Sequence, residues 1–206
     1  MKILLDNLGK RFHYHWIFKN LSFEFESNKS YAITGSNGSG KSTLLKVISG
    51  IDSPNTGSIT CLSENEVIDP DKLHAYFTIA APYQELIEEL TLSELLDFHL
   101  KFRELTISKK DFLLETKLEN AASKLVRDFS SGMKQRVKLG LALFTKTACT
   151  LLDEPTTNMD QQGIDWYLNT IKKIVGSRTL LISSNMAYEY DFCDTSIAIE
   201  SYKSNN

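Results

Sequence analysis

The chain has no basic surplus, no long apolar run and few cysteines, and each absence removes a class of function. Its 23 Lys and Arg stand against 26 Asp and Glu, a net charge of −3. An electrostatic nucleic-acid binder carries a basic excess, so no nucleic-acid partner is expected. The longest apolar run, Leu139 to Phe144, falls far short of the ~20 residues that cross a bilayer. The opening Met1, Lys2, Ile3, Leu4, Leu5, Asp6 meets charge too early for a secretory signal core. Cys61, Cys149 and Cys193 are odd in number and scattered, which fits a reducing compartment and offers no metal-ligand spacing. No internal repeat, heptad run or low-complexity tract is present apart from the polar tail Ser201–Asn206. What remains, 206 residues of which 42% are hydrophobic, suffices for one well-buried domain with a possible insertion. The expectation is a soluble protein whose membrane role, if any, is exercised through a partner.

Alternating strands and helices emerge along the chain. Leu21, Phe23 and Phe25 alternate with Ser22, Glu24 and Glu26, the period of a half-buried strand. Tyr31 to Thr34 reads as a short buried strand running into glycines, and Leu44, Leu45 and Ile48 fall at helical spacing after Lys41, with Gly50 as a stop. Pro54 to Gly57 reads as a turn. The stretch from about Glu85 to Val126 reads mainly helical, Lys134 to Phe144 and Gln161 to Val175 as helices, and Cys149–Leu152, Thr179–Ser183 and Ile197–Ile199 as strands. This order predicts an α/β fold around a mainly parallel sheet, with the helical block inserted.

The strongest chemical signal is the run Gly35, Ser36, Asn37, Gly38, Ser39, Gly40, Lys41, Ser42, which matches G-x-x-x-x-G-K-[ST] between a strand and a helix. Its glycines let successive N–H groups converge on phosphate oxygens, and the helix start adds its positive dipole end. Lys41 is expected to reach the β- and γ-phosphates and the Ser42 hydroxyl to bind Mg²⁺, with Thr43 completing the first turn of the nucleotide-binding set. Leu151, Leu152, Asp153, Glu154, Pro155 then places two acids at the end of a buried strand, expected beside the P-loop strand. Asp153 is the expected Mg²⁺ holder and Glu154 the general base that polarises the attacking water. Between them, Ser130 and Gly132 present a hydroxyl and a free N–H at a helix start, a further candidate anion site.

The order of these segments resembles the nucleotide-binding domains of the ATP-binding cassette family over nearly the whole chain. Ser130 to Met133 is similar to the family's signature motif, usually Leu-Ser-Gly-Gly-Gln, departing from it at Phe129, Ser131 and Met133. Pro155 to Asp160 resembles the D-loop, with Asp160 at its aspartate, and Phe12 stands where an aromatic stacks on adenine, with Tyr14 and Trp16 as competitors. The switch histidine is replaced by Asn185, which can hydrogen-bond a phosphate oxygen but cannot carry charge, so slower hydrolysis is expected. Ala81, Pro82, Tyr83, Gln84 resembles the Q-loop. Direct register puts Tyr83 at the glutamine position, with Gln84 one residue on as the chemically sensible substitute for the catalytic and metal role. His13, His15, His74 and His99 fit no ligand spacing, and Lys101, Arg103, Lys109 and Lys110 read as a solvated face near the family's permease-docking region.

The resemblance implies one domain over 1–206: a P-loop core with an N-terminal antiparallel β subdomain (1–84 and 130–206) and an inserted helical subdomain (about 85–129). It implies Mg–ATP as ligand, a second copy of the chain closing two ATPs at a two-fold interface, and separate transmembrane permease subunits. The protein is then cytoplasmic, peripheral on the inner face of the membrane. Chain length and local wording suggest an export-type cassette of the heme-exporter kind. A regulatory or non-transport cassette with weakened hydrolysis is the alternative, motivated by Asn185 and Tyr83.

Overall fold

The computed structural model describes residues 1–203. A first, antiparallel sheet contains β1 (Lys2–Phe12), β2 (His15–Phe25), β4 (Thr56–Ser63) and β5 (Glu66–Val67) in the order β2-β1-β4-β5. A second sheet contains β3 (Ser30–Thr34), β6 (Phe77–Ala80), β7 (Cys149–Asp153), β8 (Thr179–Ser183) and β9 (Thr195–Ala198) in the order β6-β7-β8-β3-β9. All its pairings are parallel. Every residue of β7 and β8 is buried. These strands therefore lack polar alternation, as expected of parallel strands covered on both faces. The half-buried strand predicted around Leu21 is the end of β2, in which Leu21 and Phe25 are buried while Ser22 and Glu24 are exposed.

The helices are α1 (Lys41–Ile48), α2 (Leu92–Leu100), α3 (Lys109–Glu115), α4 (Ser131–Phe144) and α5 (Gln161–Ile171). Their starts are written locally. Thr91 and Glu94 form a reciprocal capping box, and the side chains of Ser108, Ser130 and Asp160 accept from backbone N–H groups three residues on. Helix α1 differs: its cap is Gly40, at φ +108°, with no side-chain bond, so its first N–H groups face outward.

Four expectations need correction. The stretch Glu85–Val126 is mostly turns and short 3-10 segments around α2 and α3. Its backbone is drawn elsewhere: Thr106 N–H donates to the Phe144 carbonyl and Val126 N–H to the Leu90 carbonyl. And β7 does not lie beside the P-loop strand β3; β8 runs between them. Helix α5 also ends at Ile171, four residues before the predicted Val175, and the last strand occupies Thr195–Ala198, with Ile199 opening a 3-10 turn.

Three apolar clusters fill the molecule. One joins the antiparallel sheet to α1 through Ile3, Phe18, Phe25, Leu45 and Leu181; a second packs α5 on the parallel sheet through Trp166, Tyr167, Leu152 and Ile182. The third gathers Leu92, Leu96, Phe112, Val126, Phe129, Val137 and Phe144. Helix α4 serves two of them, giving Leu139, Ala142 and Leu143 to the second and Val137 and Phe144 to the third. Gly140 lets Phe112 approach it: a Cβ there would lie 2.8 Å from the Phe112 ring. Replacing Phe112 with Ala is expected to destabilise the fold by ~3–5 kcal/mol, as for buried aromatics generally. Denaturant unfolding measures it, and a loss within the ~0.5 kcal/mol of a surface substitution would remove Phe112 from this joint.

Candidate functional site

Register brings the site together. Ile33 pairs with Ser183, and Ser183 pairs with Asp153, so β3, β8 and β7 end at one level. The loops that leave these ends are 35–40, 184–189 and 154–160. The carboxyl edge of such a sheet is where open α/β folds bind ligands.

Residues 37–43, Ile17 and Glu154 line a pocket of about 190 Å³. Gly35, Gly38 and Gly40 take φ of +148°, +75° and +108°, the region that side-chain-bearing residues avoid. Lys41 is buried, and its Nζ donates to the carbonyls of Gly35 (2.8 Å) and Ser36 (3.2 Å) across the loop. Glu154 stands opposite. Its φ of +44° is rare for a side chain of its size and costs roughly 1–3 kcal/mol. Its N–H is anchored on the Ser183 carbonyl at 2.8 Å. Asp153 is 2% exposed, and its Oδ1 is buried with no hydrogen-bond partner. A bare carboxylate oxygen at that depth, with the Ser42 hydroxyl in the first turn of α1, is a donor set of the kind a hard divalent cation takes. The residues present thus fit Mg²⁺.

The remaining candidates divide. Asn185 reaches the phosphate loop, its Nδ2 donating to Asn37 Oδ1 at 3.0 Å. Ser130, Gly132 and Asp160 come together in a separate pocket of about 300 Å³ with Arg136 and Asn158. Asp160 caps α5 through Gly163 N–H at 2.8 Å, and Gln135 Nε2 ties α4 to the Pro155 carbonyl at 2.8 Å. Phe12 is half exposed at the end of β1, with Lys10 Nζ 5.3 Å from its ring centre, and Ile17 rather than Phe12 lines the phosphate pocket. Tyr14 is exposed in the turn, while the Trp16 ring has Arg11 5.5 Å and Lys19 5.0 Å from its centre.

Gln84 departs from its expected place. Its Oε1 accepts from Ala81 N–H at 3.1 Å, and it lines a groove of about 360 Å³ with His99, Arg103 and Lys138. Tyr83 is 39% exposed, yet it stands close enough to Asp153 for that carboxylate to act on its hydroxyl. Ala80 pairs with Leu152, so the chain leaving β6 passes beside Asp153. Burial and then the Asp153 charge push the Tyr83 hydroxyl up to about 12, so it stays a neutral donor. Lys46, one turn after Ser42 on α1, sits 3.9 Å from the ring centre. His99 bonds the Thr145 hydroxyl at 2.8 Å, and burial lowers its pKa, in keeping with a packing role.

Sequence reasoning missed Glu189, which is 2% exposed and accepts from Thr156 N–H at 2.8 Å and from the Thr156 hydroxyl. It ties the Asn185 loop to the loop after Glu154. No local pattern marks it, because its partner lies 33 positions away.

A profile of the family described as ABC transporter matches residues 18–157, well over half of the chain. The chain belongs to the ABC transporter family. It is 32% identical over 204 residues to the ABC transporter ATP-binding protein YybJ of Bacillus subtilis, covering 94% of this chain and 89% of that one. It is 29% identical to the Nod factor export ATP-binding protein I of Rhizobium johnstonii, covering 95% of this chain but 65% of the relative. Among solved structures, a putative ABC transporter ATP-binding protein from Pyrococcus furiosus superposes with a TM-score of 0.83 at 21% identity, covering 99% of this chain and 100% of that one. The dimeric ATP-binding cassette MJ0796 bound to ADP and Pi superposes at 0.80 and 22% identity, covering 96% and 95%. At such identities these two establish the fold. This ABC protein is an ATP-binding subunit and an ATPase of the mixed α/β type expected from its sequence.

Asn185 is uncharged beside the phosphate loop, whereas an imidazole titrates near pH 6.5. Asn185→His is expected to raise ATP turnover about tenfold, or ~1.4 kcal/mol of transition-state stabilisation, and to add a titration step near pH ~6.5 to the rate profile. Steady-state kinetics against pH test both; an unchanged rate and profile would deny the position any contact with reacting phosphate.

Proposed function

We propose that residues 35–43, Asp153 and Glu154 hold and hydrolyse Mg–ATP, and that Ser130, Gly132 and Asp160 complete the site of a second copy of the chain. The observation that carries this reading is the separation of the two half-sites on one chain. The phosphate pocket, at about 190 Å³, falls below the ~300–1,000 Å³ of sites that enclose a small ligand. The pocket with Ser130 and Asp160 is a distinct surface of about 300 Å³. A two-fold arrangement in which each chain lends the same patch joins the two kinds of half-site.

Within such a site Lys41 binds the β- and γ-phosphates after leaving the carbonyls of Gly35 and Ser36, and the N–H groups at the start of α1 bind the remaining oxygens. Ser42 and Asp153 are the proposed Mg²⁺ holders, and of the two Q-loop candidates Tyr83 feels the Asp153 charge. Bound there, the ion would neutralise and orient phosphate oxygens. Glu154, held in an unusual backbone conformation toward the pocket, takes the proton from the attacking water. Asn185 orients the phosphate end through its contact with Asn37. The adenine partner is open to Phe12 and Trp16, and Ile17 offers apolar contact at the pocket edge.

The attached machine is proposed to be a separate permease. Among the described residues no helix is long and apolar enough to cross a membrane. The groove beside Gln84, His99, Arg103 and Lys138, with Phe98, Leu100 and Phe102 exposed on nearby chain, is a suitable docking face. The protein then works peripherally on the inner side of the membrane. Residues 1–84 and 130–206 serve as the catalytic core, and about 85–129 carry the docking face. The proposed heme-exporter-like subtype rests on local sequence wording alone, since relatives named for Nod factor export and for ribose import both match the chain.

Glu154→Gln keeps the fold of the loop but removes the base, so it is expected to arrest an ATP-bound dimer with hydrolysis reduced at least ~100-fold. Size-exclusion with light scattering, with and without Mg–ATP, reads the dimer, and recovery of the tagged variant from native membranes reads the permease. A variant that turns over at the parent rate would take Glu154 out of this role, and one that stays monomeric with ATP would remove the shared site.

A further inference from the structure

Behind the phosphate loop, the 3-10 turn Ile199–Tyr202 supplies a carboxylate that the reading above leaves unused. Glu200 Oε1 accepts from Ser36 N–H at 2.9 Å and from the Ser36 hydroxyl at 2.5 Å. The carbonyl of the same residue accepts from Lys41 Nζ at 3.2 Å, beside the Gly35 carbonyl at 2.8 Å. Ser36 thus holds an anion at its N–H and a cation at its C=O, both charges lying against the loop.

Packing keeps Glu200 there. Ile199 is fully buried and continues β9, which pairs with the P-loop strand β3. A Cβ on Gly35 would stand 3.0 Å from Ile199 Cγ2, and one on Gly40 3.5 Å from its Cδ1. The hydrogen bonds from Ser36, helped by Lys203 and Lys41, hold the Glu200 carboxyl below the usual carboxylate range, so it is ionised at neutral pH.

A phosphate-binding loop gains affinity from convergent donors and positive charge. A fixed carboxylate at its second residue opposes that gain, since it repels the incoming phosphates and draws on the field of Lys41. We propose that Glu200 is a positioning residue that sets the affinity and charge preference of the phosphate loop. It anchors Ser36 while repelling the nucleotide in proportion to its charge, so the loop disfavours metal-free ATP more than ADP. This inference rests on residues 35–42 being a nucleotide-binding P-loop.

The test is calorimetric titration of metal-free ATP and of ADP into the parent protein, Glu200→Gln, Glu200→Lys and Lys41→Ala, with thermal melting to verify folding. Glu200→Gln keeps an acceptor for Ser36 and loses the charge. It is expected to bind ATP about three- to tenfold tighter at ~0.1 M salt, where charges act over ~10 Å. The gain for ADP is smaller, and Glu200→Lys exceeds Glu200→Gln for both ligands. Every gain shrinks at ~1 M salt, where the screening length is about 3 Å. A folded charge variant that binds no tighter than the parent at low salt, or whose gain ignores salt or ligand charge, overturns the proposal. Unchanged affinity in Lys41→Ala would instead overturn the P-loop reading itself.

Discussion

The parallel register of β3, β8 and β7 is the constraint from which the site follows. Because Ile33, Ser183 and Asp153 share one level, the three loops leaving these strands must converge on one edge. Strands β7 and β8 are buried throughout and β3 is buried up to Thr34, so a slip of one residue would turn every side chain to the opposite face. That cost holds the acids, the phosphate loop and the Asn185 loop within reach of one another without any bond dedicated to the purpose.

Long-range bonds then tie the loops into one unit. Asn185 reaches Asn37, Glu189 holds Thr156, and Gln135 holds the Pro155 carbonyl. Helix α4 starts at Ser130, packs on the parallel sheet through Leu139 and Leu143, and closes the third apolar cluster through Phe144. These contacts join the edge that carries Asp153 and Glu154 to α4 and to the face around α2. Closely packed elements respond to a shift as rigid bodies rather than by gradual deformation.

The sequence was most legible where chemistry and backbone requirement coincide within a few residues. Gly35 to Ser42 lie in a loop and helix start, Asp153 with Glu154 at a strand end, and Ser130 at a helix start, as their local patterns predicted. Legibility failed where a partner far along the chain decides. The helical reading of 85–126 overlooked the pull of Phe144 and Leu90 carbonyls on Thr106 and Val126. The expectation that β7 adjoins β3 overlooked β8, since strand order within a sheet is not encoded by order in the chain.

By itself the sequence determined the α/β class, the phosphate loop and the pair of acids, because a contiguous run of glycines, a lysine and a hydroxyl carries its own geometry. Tertiary structure alone decided which of two adjacent residues comes near Asp153, since the turn after β6 leaves Tyr83 within reach of the Asp153 charge and sets Gln84 in the groove with Arg103 and Lys138. It likewise decided that Ile17 edges the pocket and that Glu200 meets Ser36 from 164 positions away. Such contacts arise from sheet order and packing, quantities that no short stretch of chain contains.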